Sequence, residues 1–299
     1  MSLVIVGSLA FDTIETPYDR KEKIIGGSCA YAALAASFFT TPNIVAVVGE
    51  DFPQEVVDFF RSRGIDTGGL EIKKGKTFHW EGRYEDDPNQ RSTIRTDLNV
   101  FQDFKPKLSE EYKNADIVFL GNIDPDLQED VLTQVKKPKL LAMDTINLWI
   151  NNKRDSLLKV IKSVDVFFAN DQEIKLLADE KNLIKAGKKI LGTGPSLVAI
   201  KKGEHGALVI AKDFIFGVLA HPCEDVVDPT GAGDSFAGAF LGYLDKVKSY
   251  QEKDLRMAAV MGSAMASFTI EDFGIERFKS LSAEEIEFRF NAFKQLVSF

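Results

Sequence analysis

Cysteine and histidine are scarce in this chain of 299 residues, at two and three respectively. Cys29 and Cys223 lie far apart, without CxxC or His-rich spacing, which excludes a disulfide framework and a zinc site and fits a reducing cytoplasm. His205 and His221 have no partners at ligand spacing and no HExxH occurs, so a metal hydrolase has no support. No stretch approaches the ~18 uninterrupted apolar residues of a membrane span. The opening MSLVIVGSLAFD lacks a basic lead and reads as a strand rather than a signal peptide. Positive charge is in deficit, 37 Lys and Arg against 45 Asp and Glu, net −8. That balance argues against a nucleic-acid or anionic-membrane surface and leaves small molecules as the expected partners. Neither an internal repeat nor a Pro/Ser-rich linker divides the chain, so one continuous domain over 1–299 is expected.

What is present is an alternation. Apolar runs recur at Leu3 to Val6, Ile44 to Val48, Ile117 to Leu120, Leu140 to Met143, Val164 to Ala169 and Leu197 to Ile200. Runs without polar alternation suit strands buried on both faces. Between them, Gln54 to Arg63, Leu127 to Val135, Asp155 to Ile161 and Glu173 to Ala178 carry helical spacing, as do Phe236 to Leu244, Leu255 to Phe268 and Ala283 to Val297. The expected class is α/β, a central, mostly parallel sheet with helices on both faces. Leu70 to Phe104 breaks the rhythm, because Thr77 to Tyr84 alternates before a polar stretch at Asp86 to Arg91. A small projecting sheet covering a cleft, or a plain surface hairpin, accounts for that pattern.

The most informative segment is Asp228-Pro-Thr-Gly-Ala-Gly-Asp-Ser-Phe-Ala-Gly-Ala-Phe, which is expected to run from a strand at Cys223 to Val227 into an apolar helix. Each glycine inside a helix costs about 1 kcal/mol relative to alanine, so Gly231, Gly233, Gly238 and Gly242 require a reason. A helix start presents unpaired N–H groups and partial positive charge, and glycines let an anion approach them. Phosphate is the natural guest of Gly231, Ala232 and Gly233. Asp234, in the first turn, is then placed to take a proton from an attacking hydroxyl. The plainer reading is a helix start packed tightly on the sheet.

DPTGAGDSFAGAF closely resembles the signature of the ribokinase-like (PfkB) carbohydrate kinases, and the resemblance extends along nearly the whole chain. Gly7 and Asp12 in VGSLAFD, the diglycine Gly26-Gly27, Val48-Gly-Glu-Asp, Arg63-Gly-Ile-Asp66, Asn170-Asp-Gln-Glu173 and Gly203-Glu-His-Gly206 are similar to successive family blocks. The resemblance implies a small β-sheet lid built from about 11–25 and 71–104, hinged at Gly26 and Gly27, and dimerisation through that lid. It implies ATP and Mg2+ as cofactors, with Asp12 binding substrate hydroxyls; a turn carboxylate is the alternative at that position. Asn170 and Glu173 would place Mg2+ through water, although an acidic residue that early in a helix also serves the dipole. Asp228 and Thr230 would border a monovalent cation such as K+. Gly203 and Gly206 would border the nucleotide, with Ala264 near the adenine.

Some residues depart from the pattern. Lys201 replaces the family's threonine and either meets phosphate or forms a solvated pair with Lys202. Ser28 and Tyr31 stand where ribokinase itself carries Lys and Asn, so ribose is not the default substrate. On the lid, His79, Trp80, Arg83 and Tyr84 offer stacking and hydrogen bonding to a sugar or a nucleobase, with Asn99 close behind. The expected activity is ATP-dependent phosphorylation of a sugar-like hydroxyl. The rivals are a nucleoside kinase of the same fold, a non-catalytic nucleotide sensor and, more distantly, a nicotinamide dehydrogenase. Gly69 to Thr77 fails the P-loop spacing and Gly192 to Leu197 fails GxGxxG, so neither fingerprint applies.

Overall fold

Strands formed by unbroken apolar runs must be covered on both sides, and the first of them shows how. In β1 (Leu3–Val6) all four residues are buried; Leu3 and Ile5 enter one apolar cluster and Val4 and Val6 another. The two-residue repeat of a strand thus divides between two cores. The computed structural model describes residues 3–17, 19–85 and 91–298, and the expected polar stretch at 86–90 lies outside them.

The small sheet takes β2 (Ala10–Glu15), β3 (Arg20–Gly26), β6 (Phe78–Tyr84) and β7 (Arg91–Asp97), ordered β3-β2-β6-β7. The large sheet takes β4 (Asn43–Gly49), β5 (Asp66–Lys73), β8 (Ile117–Leu120), β9 (Leu140–Met143), β10 (Val166–Asn170), β11 (Leu197–Lys201), β12 (Ala207–Ala211) and β13 (Ile215–Val218) together with β1. Its order is β13-β12-β11-β10-β9-β8-β1-β4-β5, parallel except where β12 pairs with its two neighbours. The chain leaves β1 toward β4 on one side and later returns to place β8 on the other. That reversal makes the carboxyl ends of β1 and β8 the topological switch point of the sheet, the usual ligand position in open α/β sheets.

The six expected strands are present within two residues, and the seven expected helices are present within four, the largest shift being the start of Ala232–Val247 ahead of Phe236. Four differences matter. Cys223 to Val227 is irregular rather than a strand, held because Val227 N donates to Ile270 O at 2.9 Å. The antiparallel β12–β13 pair lies upstream of it. Residues 66–73 belong to the large sheet as β5, so the small sheet draws less of the chain than 71–104. Helix Ser28–Ser37 had no helical pattern to betray it, because nine of its ten residues are buried.

That helix crosses Ala232–Val247 at very short range. A Cβ on Gly238 would stand 2.1 Å from the Ala32 carbonyl oxygen and 2.5 Å from its Cα, and one on Gly242 would stand 2.9 Å from Ala36 Cα. Gly238 and Gly242 therefore serve backbone-to-backbone packing, whereas Gly231 and Gly233 lie at the helix mouth. Gly238→Ala should lower stability by about 2 kcal/mol, because overpacking outweighs the gain in helix propensity. A urea midpoint that rises in this variant would contradict the assignment.

Candidate active site

The site collects residues at the carboxyl ends of successive strands: Gly7 and Ser8 after β1, Gly121 after β8, Asp144 after β9, Asn170 closing β10 and Lys201 closing β11. The start of helix Ala232–Val247 faces them. Gly231 adopts φ +78°, and a Cβ there would lie 2.3 Å from the Tyr31 ring. Only glycine meets both demands, so the ring and the turn together shape the helix mouth.

Asp234 sits in the first turn. Burial, reinforced by the charge of Asp144, pushes its carboxyl up to about 7, while Lys201 and Arg91 pull the other way. Asp12 lies within β2 rather than in a turn after β1, and it is buried. Burial and the charges of Asp228 and Asp234 hold its carboxyl well above the usual range, against the pull of Arg91. A Cβ on Gly26 would stand 1.9 Å from the Asp12 carboxylate, so this glycine makes room for the acid. Gly27, at φ +95°, turns the chain into helix Ser28–Ser37.

Tyr31 is central. Its side chain is 1% exposed, and its hydroxyl has no hydrogen-bond partner among the described residues. Burial first, then the charges of Asp228 and Asp12, raise its phenol well above the ordinary value. Ser28, by contrast, is engaged structurally. Its Oγ accepts from Ser8 N at 3.2 Å, and Ser28 N donates to Ser8 Oγ at 3.1 Å, a reciprocal clasp that fixes the helix start.

The small sheet separates the four residues expected on its surface. Trp80 is in register with Asp12, and Tyr84 lies four residues on, so both share the Asp12 face; His79 and Arg83 fall on the opposite face. His79 Nε2 meets Thr13 Oγ1 at 2.9 Å and Arg83 pairs with Glu15 at 3.0 Å, so neither joins the group. The Tyr84 hydroxyl meets Thr230 Oγ1 at 2.9 Å, joining the small sheet to the segment before the helix mouth. Asn99 is held elsewhere: its Nδ2 donates to Thr77 O at 2.9 Å, and it lines a separate cavity of about 300 Å3 with Lys73, Lys74 and Lys76.

Asn170 and Glu173 form a capping box, with Glu173 N donating to Asn170 Oδ1 at 2.8 Å and Asn170 N to Glu173 Oε2 at 2.7 Å. Glu173 is nonetheless buried, which, with a contribution from Asp144, raises its carboxyl to about 7 despite the opposing charge of Lys201. Asp228 is fully buried, and both its oxygens accept from backbone, Thr230 N at 2.9 Å and Gly274 N at 3.3 Å. Gly203 and Gly206 shape the tight β11–β12 turn, where a Cβ on Gly206 would stand 2.0 Å from Val218 O. Ala264 is fully buried in the core, where helix Glu252–Thr269 packs on Ala232–Val247, and so presents no open face to a nucleotide. Lys201 forms no solvated pair with Lys202: it is ion-paired with Asp144, and their side chains are 16% and 3% exposed.

Two residues escaped the sequence reading. Asp144 directly follows the apolar run Leu140 to Met143, a position where any strand-end carboxylate in an open sheet merits attention. Arg91 faces Tyr84 in the β6–β7 register, and its guanidinium lies 5.4 Å from the Trp80 ring centroid. Its charge reaches Asp12 and Asp234, but from sequence it is one arginine in a polar stretch.

Known proteins resemble this chain in sequence and in fold. A cytidine kinase of Thermococcus kodakarensis is 30% identical over 258 residues, covering 84% of this chain and 91% of that one. The crystal structure of a nucleoside kinase from Methanocaldococcus jannaschii superposes with a TM-score of 0.76 at 20% identity, over 98% of this chain and 99% of that one. A putative ribokinase II from E. coli, solved in complex with ATP and Mg2+, gives 0.77 at 19% identity over 97% and 99%. The family model described as pfkB family carbohydrate kinase matches residues 2–279. Matched along nearly its whole length, the chain belongs to the pfkB family of carbohydrate kinases, which transfer a phosphoryl group to a hydroxyl.

Proposed function

We propose that this kinase transfers the γ-phosphoryl of ATP to a ribosyl hydroxyl of a nucleoside. Asp234 is the base, and the amides of Gly231, Ala232 and Gly233 form the hole for the transferring group. The observation that carries the reading is the position of Asp234: a carboxyl raised to about 7 in the first turn of a glycine-opened helix, beyond the strand ends. Acceptor oxygen attacks γ-phosphorus and the bond to the bridging oxygen breaks. The acceptor's proton passes to Asp234, and the leaving electron pair stays on ADP. Charge on the phosphoryl oxygens is met by amides already aligned, at no cost of reorganisation.

Asp12 takes the acceptor's hydroxyls, since a carboxylate accepts two of them. Trp80, on the same face, stacks the base, and the unpartnered Tyr31 hydroxyl completes the acceptor side. A nucleoside fits a gripping carboxylate beside an indole, and the cytidine kinase relative points the same way. A simple sugar is the second reading, because sugar rings also stack on indoles and the matched family model is of carbohydrate kinases. The small sheet acts as a lid, with Tyr84 on Thr230 as its contact to the helix mouth, and its closure excludes water.

Mg2+ fits the residues present as a hydrated ion. Glu173 keeps Oε1 outside the capping box, Asn170 Oδ1 keeps a second lone pair, and the described residues include no cluster of three or more ligating side chains. Arriving on the nucleotide, the ion would neutralise charge between the β- and γ-phosphates. Asp228 ties the loop to Gly274, and because each of its oxygens accepts only one backbone N–H, a second lone pair on each is left for a monovalent cation such as K+.

Three measurements test this reading. Asp234→Asn should keep its Tm and its ADP affinity within about threefold while lowering kcat by at least about 10³; near-normal turnover would remove Asp234 as the base. The catalytic form is the carboxylate, so kcat/KM should rise with pH through about 7 and, below it, fall with a slope approaching about tenfold per pH unit. A flat profile from pH 5 to 8 would contradict that. In an acceptor screen with ATP and Mg2+, read by mass analysis of the product, nucleosides should exceed ribose and fructose in kcat/KM; the reverse order would select the second reading.

A further inference from the structure

The expected threonine at the end of β11 is Lys201, and its surroundings are organised. Lys201 is in register with Asn170, and β9, β10 and β11 are adjacent, so Asp144 and Lys201 meet across the end of β10. Asp144 is fixed before the lysine is considered. Its N donates to Leu120 O at 2.9 Å, its carbonyl accepts from Gln128 Nε2 at 3.1 Å, and its Oδ1 accepts from Thr145 N at 2.8 Å. The remaining oxygen, Oδ2, receives Lys201 Nζ.

An ammonium has three donors. Among the described residues Asp144 is its only hydrogen-bond partner, so two donors have no protein acceptor. They stand at the helix mouth: a Cβ on Gly233 would lie 3.0 Å from Lys201 Nζ and 3.3 Å from its Cδ. Neighbouring Lys202 turns away and donates to His205 O at 3.2 Å. Burial opposes the Lys201 charge, yet the attraction of Asp144, Glu173 and Asp234 outweighs it and raises the pKa. A threonine would bring one hydroxyl donor and no charge. The lysine brings a permanent cation to a site whose three carboxylates would otherwise repel a triphosphate.

We propose that Lys201 is a fixed cation of phosphoryl transfer, donating to a non-bridging oxygen of the γ-phosphoryl, and that Asp144 is the positioning residue that holds its ammonium at the mouth. The proposal rests on the assignment of Gly231 to Gly233 as the phosphoryl site. A donor already oriented in a water-poor site stabilises developing charge far more than one that must be recruited. Asp144 supplies that orientation and does not itself touch the substrate.

The test uses the full chain, MgATP and the acceptor with the highest turnover in the screen above, with kcat, both KM values and Tm measured for four variants. Lys201→Met should lower kcat by about 10²–10³ with acceptor KM changed by less than about threefold. It should also lose Tm, because Asp144 is left buried and uncompensated. Lys201→Arg should retain kcat within about tenfold of wild type. Asp144→Asn should lower kcat by about tenfold through a misplaced ammonium. The decisive variant is Asp144→Asn/Lys201→Met, which removes both charges: Tm should recover, while kcat stays as low as in Lys201→Met. Recovery of kcat together with Tm would make the pair structural and overturn the proposal, as would full turnover by Lys201→Met. If Asp234→Asn also kept its activity, the phosphoryl site itself would be misassigned; loss in Asp234→Asn with none in Lys201→Met would remove only the present inference.

Discussion

Everything in this site depends on placing the backbone N–H groups of a helix start opposite carboxylates that would ordinarily repel the same guest. Helix Ala232–Val247 brings its amino end, with the partial positive charge that aligned peptides create there, to the carboxyl edge of the large sheet. Asp12, Asp144, Glu173 and Asp228 are buried around that mouth. Burial raises the carboxyls of all four. Such a group of acids is tolerable only where cations and amides share the space, and Lys201 and Arg91 are the cations that share it.

The packing behind the mouth keeps that arrangement fixed. Gly238 and Gly242 bring two helix backbones almost into contact, so the helix cannot roll or slide without displacing Ser28–Ser37. The second helix begins at Gly27, next to the glycine that makes room for Asp12, and the Ser8–Ser28 clasp ties it to the end of β1. One rigid assembly therefore sets the relative positions of Asp234, the helix mouth and Asp12. Cores packed at crystal-like density transmit position in this way and resist gradual deformation. The small sheet is attached more lightly, through the Tyr84–Thr230 contact and an apolar cluster around Ile14, Tyr84 and Phe273.

Legibility in the sequence followed the physics of each signal. Strands buried on both faces announced themselves as unbroken apolar runs, and the glycine-opened helix with its aspartate stood out because its composition is costly unless an anion or a close neighbour justifies it. Only half of that justification was visible: the anion explained Gly231 and Gly233, whereas Gly238 and Gly242 answer to Ala32 and Ala36, a long-range fact. Helix Ser28–Ser37 was hidden because complete burial erases amphipathic periodicity. Ser28 and Ala264 were read as ligand contacts; that Ser28 also clasps Ser8 and that Ala264 packs between two helices are long-range facts of which the sequence carries no sign. Asp144 and Arg91 were missed because their importance is purely spatial, arising where a strand end or a lid edge meets residues distant in the chain.

The most direct measurement of the central claim is a crystal structure with ADP, Mg2+, aluminium fluoride and an acceptor, in which the fluoride group stands in for the phosphoryl in flight. The account predicts that this group lies against the amides of Gly231, Ala232 and Gly233, with an Asp234 carboxylate oxygen within hydrogen-bond reach of the acceptor's attacking oxygen. Aluminium fluoride lodged away from that helix mouth, or Asp234 turned from the acceptor, would contradict it.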